Sequence, residues 1–154
     1  MSPSYVYFGI QETLTLSKHG VWLSNGEEIT HEASVRAFFR GLAQDAQGRW
    51  VVRIGQEEKE VTVEDTPSFV QRLGGSPDEG YRIHLLFSEH LGGEELRAES
   101  LRYRPGRLTC LNSKGWEARF LGAPYHEILA GLQKDDQGYF LKIKGARIDL
   151  KTES

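Results

Sequence analysis

The chain has 154 residues, 38% of them hydrophobic and 10% aromatic, enough for one domain or two small ones with a real core. Its 19 Lys and Arg against 22 Asp and Glu leave a net charge of −3, so no global field recruits nucleic acid or an anionic membrane. A single cysteine excludes an internal disulfide, and the place of Cys110 in the alternating run Leu108-Thr109-Cys110-Leu111 marks it as a small hydrophobe.

Met1 to Tyr5 carries no basic region leading into an apolar stretch, and no apolar run reaches the roughly 18 residues of a membrane span. A reduced, cytoplasmic protein is expected. Thr13 to Leu16 and Val21 to Leu23 alternate as short strands, and Asn25-Gly26 is a strong two-residue hairpin turn. From Thr30, a candidate cap, Val35, Phe38, Phe39 and Leu42 recur at helical spacing and predict an amphipathic helix. After the polar turn that Gly48 closes, Trp50, Val52 and Ile54 alternate, and the chain returns through Val61 and Val63 as a second hairpin.

The turn Gly74-Gly75-Ser76-Pro77 precedes two expected bridging strands, Tyr81 to Phe87 and Leu96 to Tyr103, separated by Gly92-Gly93. Leu108 to Leu111 and Trp116 to Phe120 read as one hairpin, and Pro124 as the opening of a second helix. Tyr139, Leu141 and Ile143 then alternate, and Arg147 to Leu150 supplies a closing strand.

These elements contain an echo. Gly41-Leu42-Ala43-Gln44-Asp45-Ala46-Gln47-Gly48 resembles Gly131-Leu132-Gln133-Lys134-Asp135-Asp136-Gln137-Gly138. Tyr125, Ile128, Leu129 and Leu132 match Val35, Phe38, Phe39 and Leu42 at one offset, and after Gly138 the register slips by one residue. The expected fold is α+β: two related lobes, each strand-strand-helix-strand-strand, with bridging antiparallel strands and few helices. The expected division is 1–73 for the first lobe and 74–154 for the second. With no long linker the lobes should pack, and the groove between them is the default ligand site.

The series Gly20-Val21-Trp22, Asn25 to Ile29, Val35-Arg36-Ala37-Phe38, Asp45 to Gly48 and Val61 to Pro67 resembles a bacterial family of proteins of unknown function. That family is built from duplicated strand-helix-strand motifs, with a Trp-bearing hairpin, a helix and a Val-Glu-Asp-small-Pro segment in this order. The resemblance covers about residues 12–70 and is looser over 81–134. It implies a two-lobed α+β fold and a proposed role in signalling or regulation. It brings no activity, cofactor or catalytic residue.

Candidate chemistry is sparse. Glu64-Asp65 at a strand end can accept hydrogen bonds from a ligand amine or guanidinium, while Asp65-Thr66-Pro67 also reads as plain turn chemistry. A buried pair of these carboxylates with Arg36 or Arg40 is the structural counterpart. Trp22, beside its tight turn, can cover a groove or serve the core. The binding candidates are therefore Trp22, Arg36, Glu64 and Asp65.

His31-Glu32 and His126-Glu127 lie at the starts of the two predicted helices and are the metal candidates if a pseudo-twofold brings them together. Neither pair has the second histidine of a zinc protease, because Val35 and Ala130 occupy that place. Glutamates near a helix start are also favoured by the helix dipole alone. No Gly-x-Ser-x-Gly elbow or phosphate loop occurs. Arg97, Arg102, Arg104, Arg107, Lys114 and Arg119 form a local basic excess that Glu94, Glu95, Glu99 and Glu117 dilute, so no nucleic-acid partner is expected.

Three functional classes follow. The first is a non-enzymatic regulatory module holding a small ligand or a protein segment, without a cofactor. The second is a metal-assisted hydrolase on the four His and Glu residues. The third is a structural module whose edge strands pair into a homodimer.

Overall fold

Local chemistry sets the first hairpin of the structure, a computed structural model that describes residues 13–152. Strands β1 (Leu14–Leu16), β2 (Trp22–Ser24) and β3 (Glu27–Glu28) form a meander. Asn25 and Gly26 turn it with φ of 51° and 84°, the paired positive values that the right-handed twist of a two-residue hairpin requires. Helix α1 (Glu32–Gly41) follows, then β4 (Leu42–Gln44), β5 (Trp50–Ile54) and β6 (Glu57–Val63). The sheet order is β3-β2-β1-β6-β5-β4, because β6 pairs antiparallel with β5 along its first half and parallel with β1 along its second.

The N-cap of α1 is His31 and not the expected Thr30. His31 makes no side-chain cap; its Nδ1 lies 2.8 Å from the Ser34 hydroxyl. The helix packs on β5, and Gly41 permits the approach, since a Cβ there would collide with the Arg53 carbonyl. Phe38 is buried, with its ring 5.3 Å from Trp22, and Phe39 lies 5.5 Å from the same indole. Leu14, Leu16, Val51, Val52 and Val61 complete this core.

The chain divides into two units at Pro67 and Ser68. The expected boundary after residue 73 falls inside β7 (Ser68–Ser76), which pairs with β8 (Gly80–Leu85). Gly74 and Gly75, read from sequence as a turn, are ladder residues opposite Arg82 and Tyr81. The supposed bridging strands are likewise reassigned. Tyr81 lies in β8, inside the sheet of the second unit, and Leu96 to Tyr103 is mostly irregular, with a 3₁₀ turn at Ala98–Ser100.

After β9 (Glu94–Glu95) the second unit continues through β10 (Arg102–Arg104), β11 (Arg107–Leu111) and β12 (Glu117–Phe120). Helix α2 (Gly122–Leu129) precedes β13 (Gln133–Asp135), β14 (Gly138–Ile143), β15 (Ala146–Asp149) and β16 (Lys151–Thr152). Seven strands run in the order β16-β10-β11-β12-β7-β8-β9, and β13-β14-β15 form a second sheet. Only Leu150 separates β15 from β16, so one stretch of chain serves both sheets. Val70, Ile83, Leu101, Leu108, Phe120 and Ile128 anchor the core.

The duplication is therefore larger than its sequence echo. Each copy is three strands and a helix, followed by three strands in the first copy and four in the second, where β15 and β16 together take the place of β6. In both the last strand runs parallel to the first: Leu14 faces Val61 in one copy, and Arg102 faces Lys151 in the other. Equivalent positions share burial, as with Trp22 and Leu108, Phe38 and Ile128, Val52 and Leu141, and Val61 and Leu150. The one-residue slip is a loop-length difference. Paired Gln44 and Trp50 enclose five residues, whereas paired Lys134 and Tyr139 enclose four.

The shared Asp of the echo is the turn itself. Asp45 Oδ1 accepts the backbone N–H groups of Gln47 and Arg49, both at 2.9 Å, and Asp135 Oδ1 accepts that of Gln137 at 2.9 Å. Arg147 adds two bonds to Asp135, at 2.6 and 2.9 Å. These bonds, Arg147 first, hold the Asp135 carboxyl down at about 2, against an ordinary 3.8. A carboxylate so depressed stabilises the fold above its ordinary value and loses that contribution as pH falls toward its folded value. The urea midpoint should therefore fall between about pH 4 and pH 2. Asp135→Asn should start lower at neutral pH and decline less across that window; parallel curves for the two proteins would refute the assignment.

The sheet edges among the described residues, β3, β4, β9, β13, β15 and β16, are two to four residues long. Such short edges leave little backbone for a second copy to pair with.

Candidate functional site

The four binding candidates all lie in the first unit. Trp22 is 1% exposed and serves the core, and its Nε1 has no hydrogen-bond partner among the described residues. Arg36 is exposed on α1 and pairs with Glu32 at 2.8 Å, one helical turn away. Glu64 extends the β6 ladder through its backbone bond to Leu16, and its Oε1 accepts the Lys18 N–H at 3.1 Å. Asp65 is half-buried, and Thr66 beside it is fully buried. The segment is a packed chain exit, as turn chemistry alone predicts. A shallow depression beside α1 is lined by His31, Glu32, Arg36 and Arg40, all described lining coming from that one helix. One helix face does not enclose a ligand.

The metal reading rests on His31, Glu32, His126 and Glu127 occupying equivalent helix starts, and they do not. Helix α2 begins at Gly122 with Leu121 as N-cap, which moves Pro124 into the first turn and His126 into the last. His31 and Glu32 correspond to Leu121 and Gly122, so the duplication does not relate the two His-Glu pairs. His126 meets the Tyr125 ring edge-on at 5.1 Å. Among the described residues no three His, Cys, Asp or Glu side chains gather as metal ligands. Cys110 is buried and its thiol is pushed up to about 12, mainly by burial and then by the charge of Glu94, so it is no nucleophile at neutral pH.

The basic residues also separate. Arg107 is buried beside Glu117, at 3.9 Å, while Arg102 and Arg104 are exposed on β10. Lys114 lies over the Trp116 ring, 4.6 Å from its centroid.

A better enclosed concavity, missed from sequence, lies within the second unit. It has a volume of about 590 Å³ and forms where the end of the β7–β8 hairpin meets the β14–β15 turn. The Lys144 N–H donates to the Pro77 carbonyl at 2.7 Å and ties the two turns together. The stem of Lys144 crosses Gly80 where a Cβ would collide with it, and its Nζ lies 3.9 Å from Glu95. Tyr81, Leu96, Ile143 and Ile148 make an apolar floor. Burial, then the charge of Glu127, raises the Tyr81 phenol and keeps it protonated.

Glu79 and Glu99 stand on the rim, both exposed and neither with an ionic partner among the described residues. Arg82, also on the rim, spends its donors on the Gly92 and Gly93 carbonyls at 2.9 and 2.8 Å. The only sequence signal for this site was the pair of glycines at 74 and 75, which local reading assigns to a turn.

No family model matches the sequence, and none of the curated proteins is similar to it. Two solved structures share its architecture. A DUF1285 family protein from Silicibacter pomeroyi DSS-3 superposes with a TM-score of 0.64 at 17% identity, covering 90% of this chain and 79% of that one. A second DUF1285 family protein, from Shewanella baltica OS155, has a TM-score of 0.58 at 13% identity, covering 78% of this chain and 92% of that one. At such identities likeness carries the fold and not the chemistry. No helix among the described residues is long and apolar enough to cross a membrane. The chain is thus an α+β protein of repeated lobes, similar in fold to bacterial DUF1285 proteins of unknown function.

Proposed function

We propose that the chain is a non-enzymatic regulatory module of the cytoplasm that binds a short protein segment in the groove of its second unit. The segment presents a basic side chain to Glu79 and Glu99 and an apolar neighbour to Tyr81, Leu96 and Ile148. The observation that carries this reading is the pairing of an apolar floor with two carboxylates that lack ionic partners among the described residues. Apolar burial supplies affinity in such a groove, and the charges supply orientation. Among the described residues the groove is lined by no histidine, cysteine or serine that could form a nucleophile and base pair with those carboxylates.

The test is an NMR titration with a capped Leu-Lys-Leu-Arg peptide, against its Leu-Glu-Leu-Glu counterpart. The basic peptide should shift Tyr81, Leu96 and Ile148, and a Glu79→Gln, Glu99→Gln double variant should bind it at least tenfold more weakly, about 1.4 kcal/mol. Equal response to the acidic peptide, or shifts that avoid the groove, would sink the proposal.

A further inference from the structure

A β-bulge in the β7–β8 hairpin builds a second site, independent of the groove. Val70 faces Leu85, and regular antiparallel pairing would then set Gln71 opposite His84, but the register shifts and His84 faces Arg72. The bulge exchanges an amide for a guanidinium at that position. A nitrogen of Arg72 lies 3.2 Å from His84 Nδ1. A guanidinium only donates, so Nδ1 accepts and the neutral ring carries its proton on Nε2.

Two glycines make room for the ring. A Cβ at Gly74 would come within 3.4 Å of Nε2, and one at Gly93 within 3.0 Å of Cε1. Arg82 lies two residues from His84 on the same strand and face. Neither Arg72 nor His84 has a carboxylate partner among the described residues, and Nε2 has no hydrogen-bond partner there. Burial, then the charges of Arg72 and Arg82, hold the His84 imidazole below its ordinary titration range. The bulge thus sets the Arg72 guanidinium against a neutral imidazole and diagonally across the ladder from Arg82. Two donors with no carboxylate partner among the described residues, Arg72 and the Nε2–H of His84, in a chain of net charge −3, point to an anion that is not part of the protein.

Arg72, His84 and His90 line a concavity of about 280 Å³ together with Leu85, Leu86 and Leu91. Leu91 is 92% exposed, the large hydrophobic side chain most open to solvent among the described residues. We propose that this pocket binds a small organic oxyanion, with Arg72 and the Nε2–H of His84 as donors and Leu86 and Leu91 against its apolar body.

The probes are sodium hexanoate and inorganic phosphate, titrated at constant ionic strength at pH 7.5 with chloride as the control, and read from the His84 ring and Leu91 methyl resonances. Saturable shifts at His84 with either oxyanion are expected, accompanied by Leu91 shifts with hexanoate. Tighter binding of hexanoate assigns a carboxylate on an apolar body; tighter binding of phosphate assigns the same donors to a phosphoryl group. Arg72→Gln, at an exposed position, should weaken binding at least tenfold without altering the dispersion of the amide spectrum. His84→Gln should do the same. Shifts no larger than those from chloride, or wild-type binding by Arg72→Gln, would overturn the site.

Discussion

Gly75→Ala is expected to lower the melting temperature by about 10 °C or more, equivalent to about 3 kcal/mol for a unit of this size. Two effects combine at this position. Gly75 holds φ at 85°, where an alanine Cβ costs about 1–2 kcal/mol. The new methyl would also meet the Gly80 carbonyl oxygen across the ladder, a backbone atom that cannot swing aside. Relief requires prising β7 from β8 at the hairpin end, where Gly75 faces Tyr81 and Ser76 faces Gly80.

The internal control is Gly106→Ala. Gly106 has a similar φ of 84°, but nothing lies within 4 Å of its Cβ position, so only the conformational cost remains. Circular dichroism melts of both variants decide the point. Equal losses would mean that the close approach at Gly75 contributes nothing. Because Gly75 and Gly80 also border the groove, Gly75→Ala should weaken capture of the basic peptide as well.

Phe38→Ala should cost about 3–5 kcal/mol, and its structural equivalent Ile128→Ala about 2–5 kcal/mol. Phe38 is 1% exposed and Ile128 2% exposed, each on the buried face of its helix. Phe38 also loses an aromatic neighbour in Trp22, and tilted ring pairs of this kind add about 0.5–1.5 kcal/mol beyond area burial. The first unit is small, and small units hold little reserve stability. Phe38→Ala should therefore shift the urea midpoint strongly and broaden the near-ultraviolet signal of Trp22. An exposed neighbour on the same helix, Ala33, gives the contrast: Ala33→Ser should stay within about 0.5 kcal/mol of wild type. A Phe38→Ala loss below about 1 kcal/mol would show that this helix face does not seat the core.

Much of the fold was legible because its signals are local. The Asn25-Gly26 turn needs only its own two residues, and the faces of the two helices follow from spacing within one segment. Asp45 and Asp135 can be matched in sequence because each bonds the backbone two residues ahead. Their equivalence even carries the loop-length difference behind the slip after Gly138. Helix starts were less legible. Pro124 is as acceptable inside a first turn as at its beginning, since none of the first N–H groups has an intrahelical partner. That ambiguity misplaced His126 and Glu127 and with them the whole metal hypothesis.

Strand β7 was missed for two reasons that are themselves structural. Its bulge at Gln71 breaks the alternation that marks a strand, and its glycines mimic a turn while they let two backbones approach. Both features lie beside the two concavities, so the segments least readable as regular structure are those that shape the sites.

By itself the sequence determined that the chain is duplicated, that each copy has one amphipathic helix between hairpins, and that Cys110 belongs inside, while it left Trp22 open between groove and core. It also excluded phosphate loops and nucleophile elbows, because these need contiguous residues. Tertiary structure alone decided that β6 runs parallel to β1 and β16 parallel to β10, and that β7 and β8 extend the second sheet. It alone set Glu79 and Glu99 around one groove and Arg72 against His84. Turns and helix faces are fixed by neighbours in the chain. Partners dozens of residues apart are chosen by register and packing across the whole unit, and no local pattern records that choice.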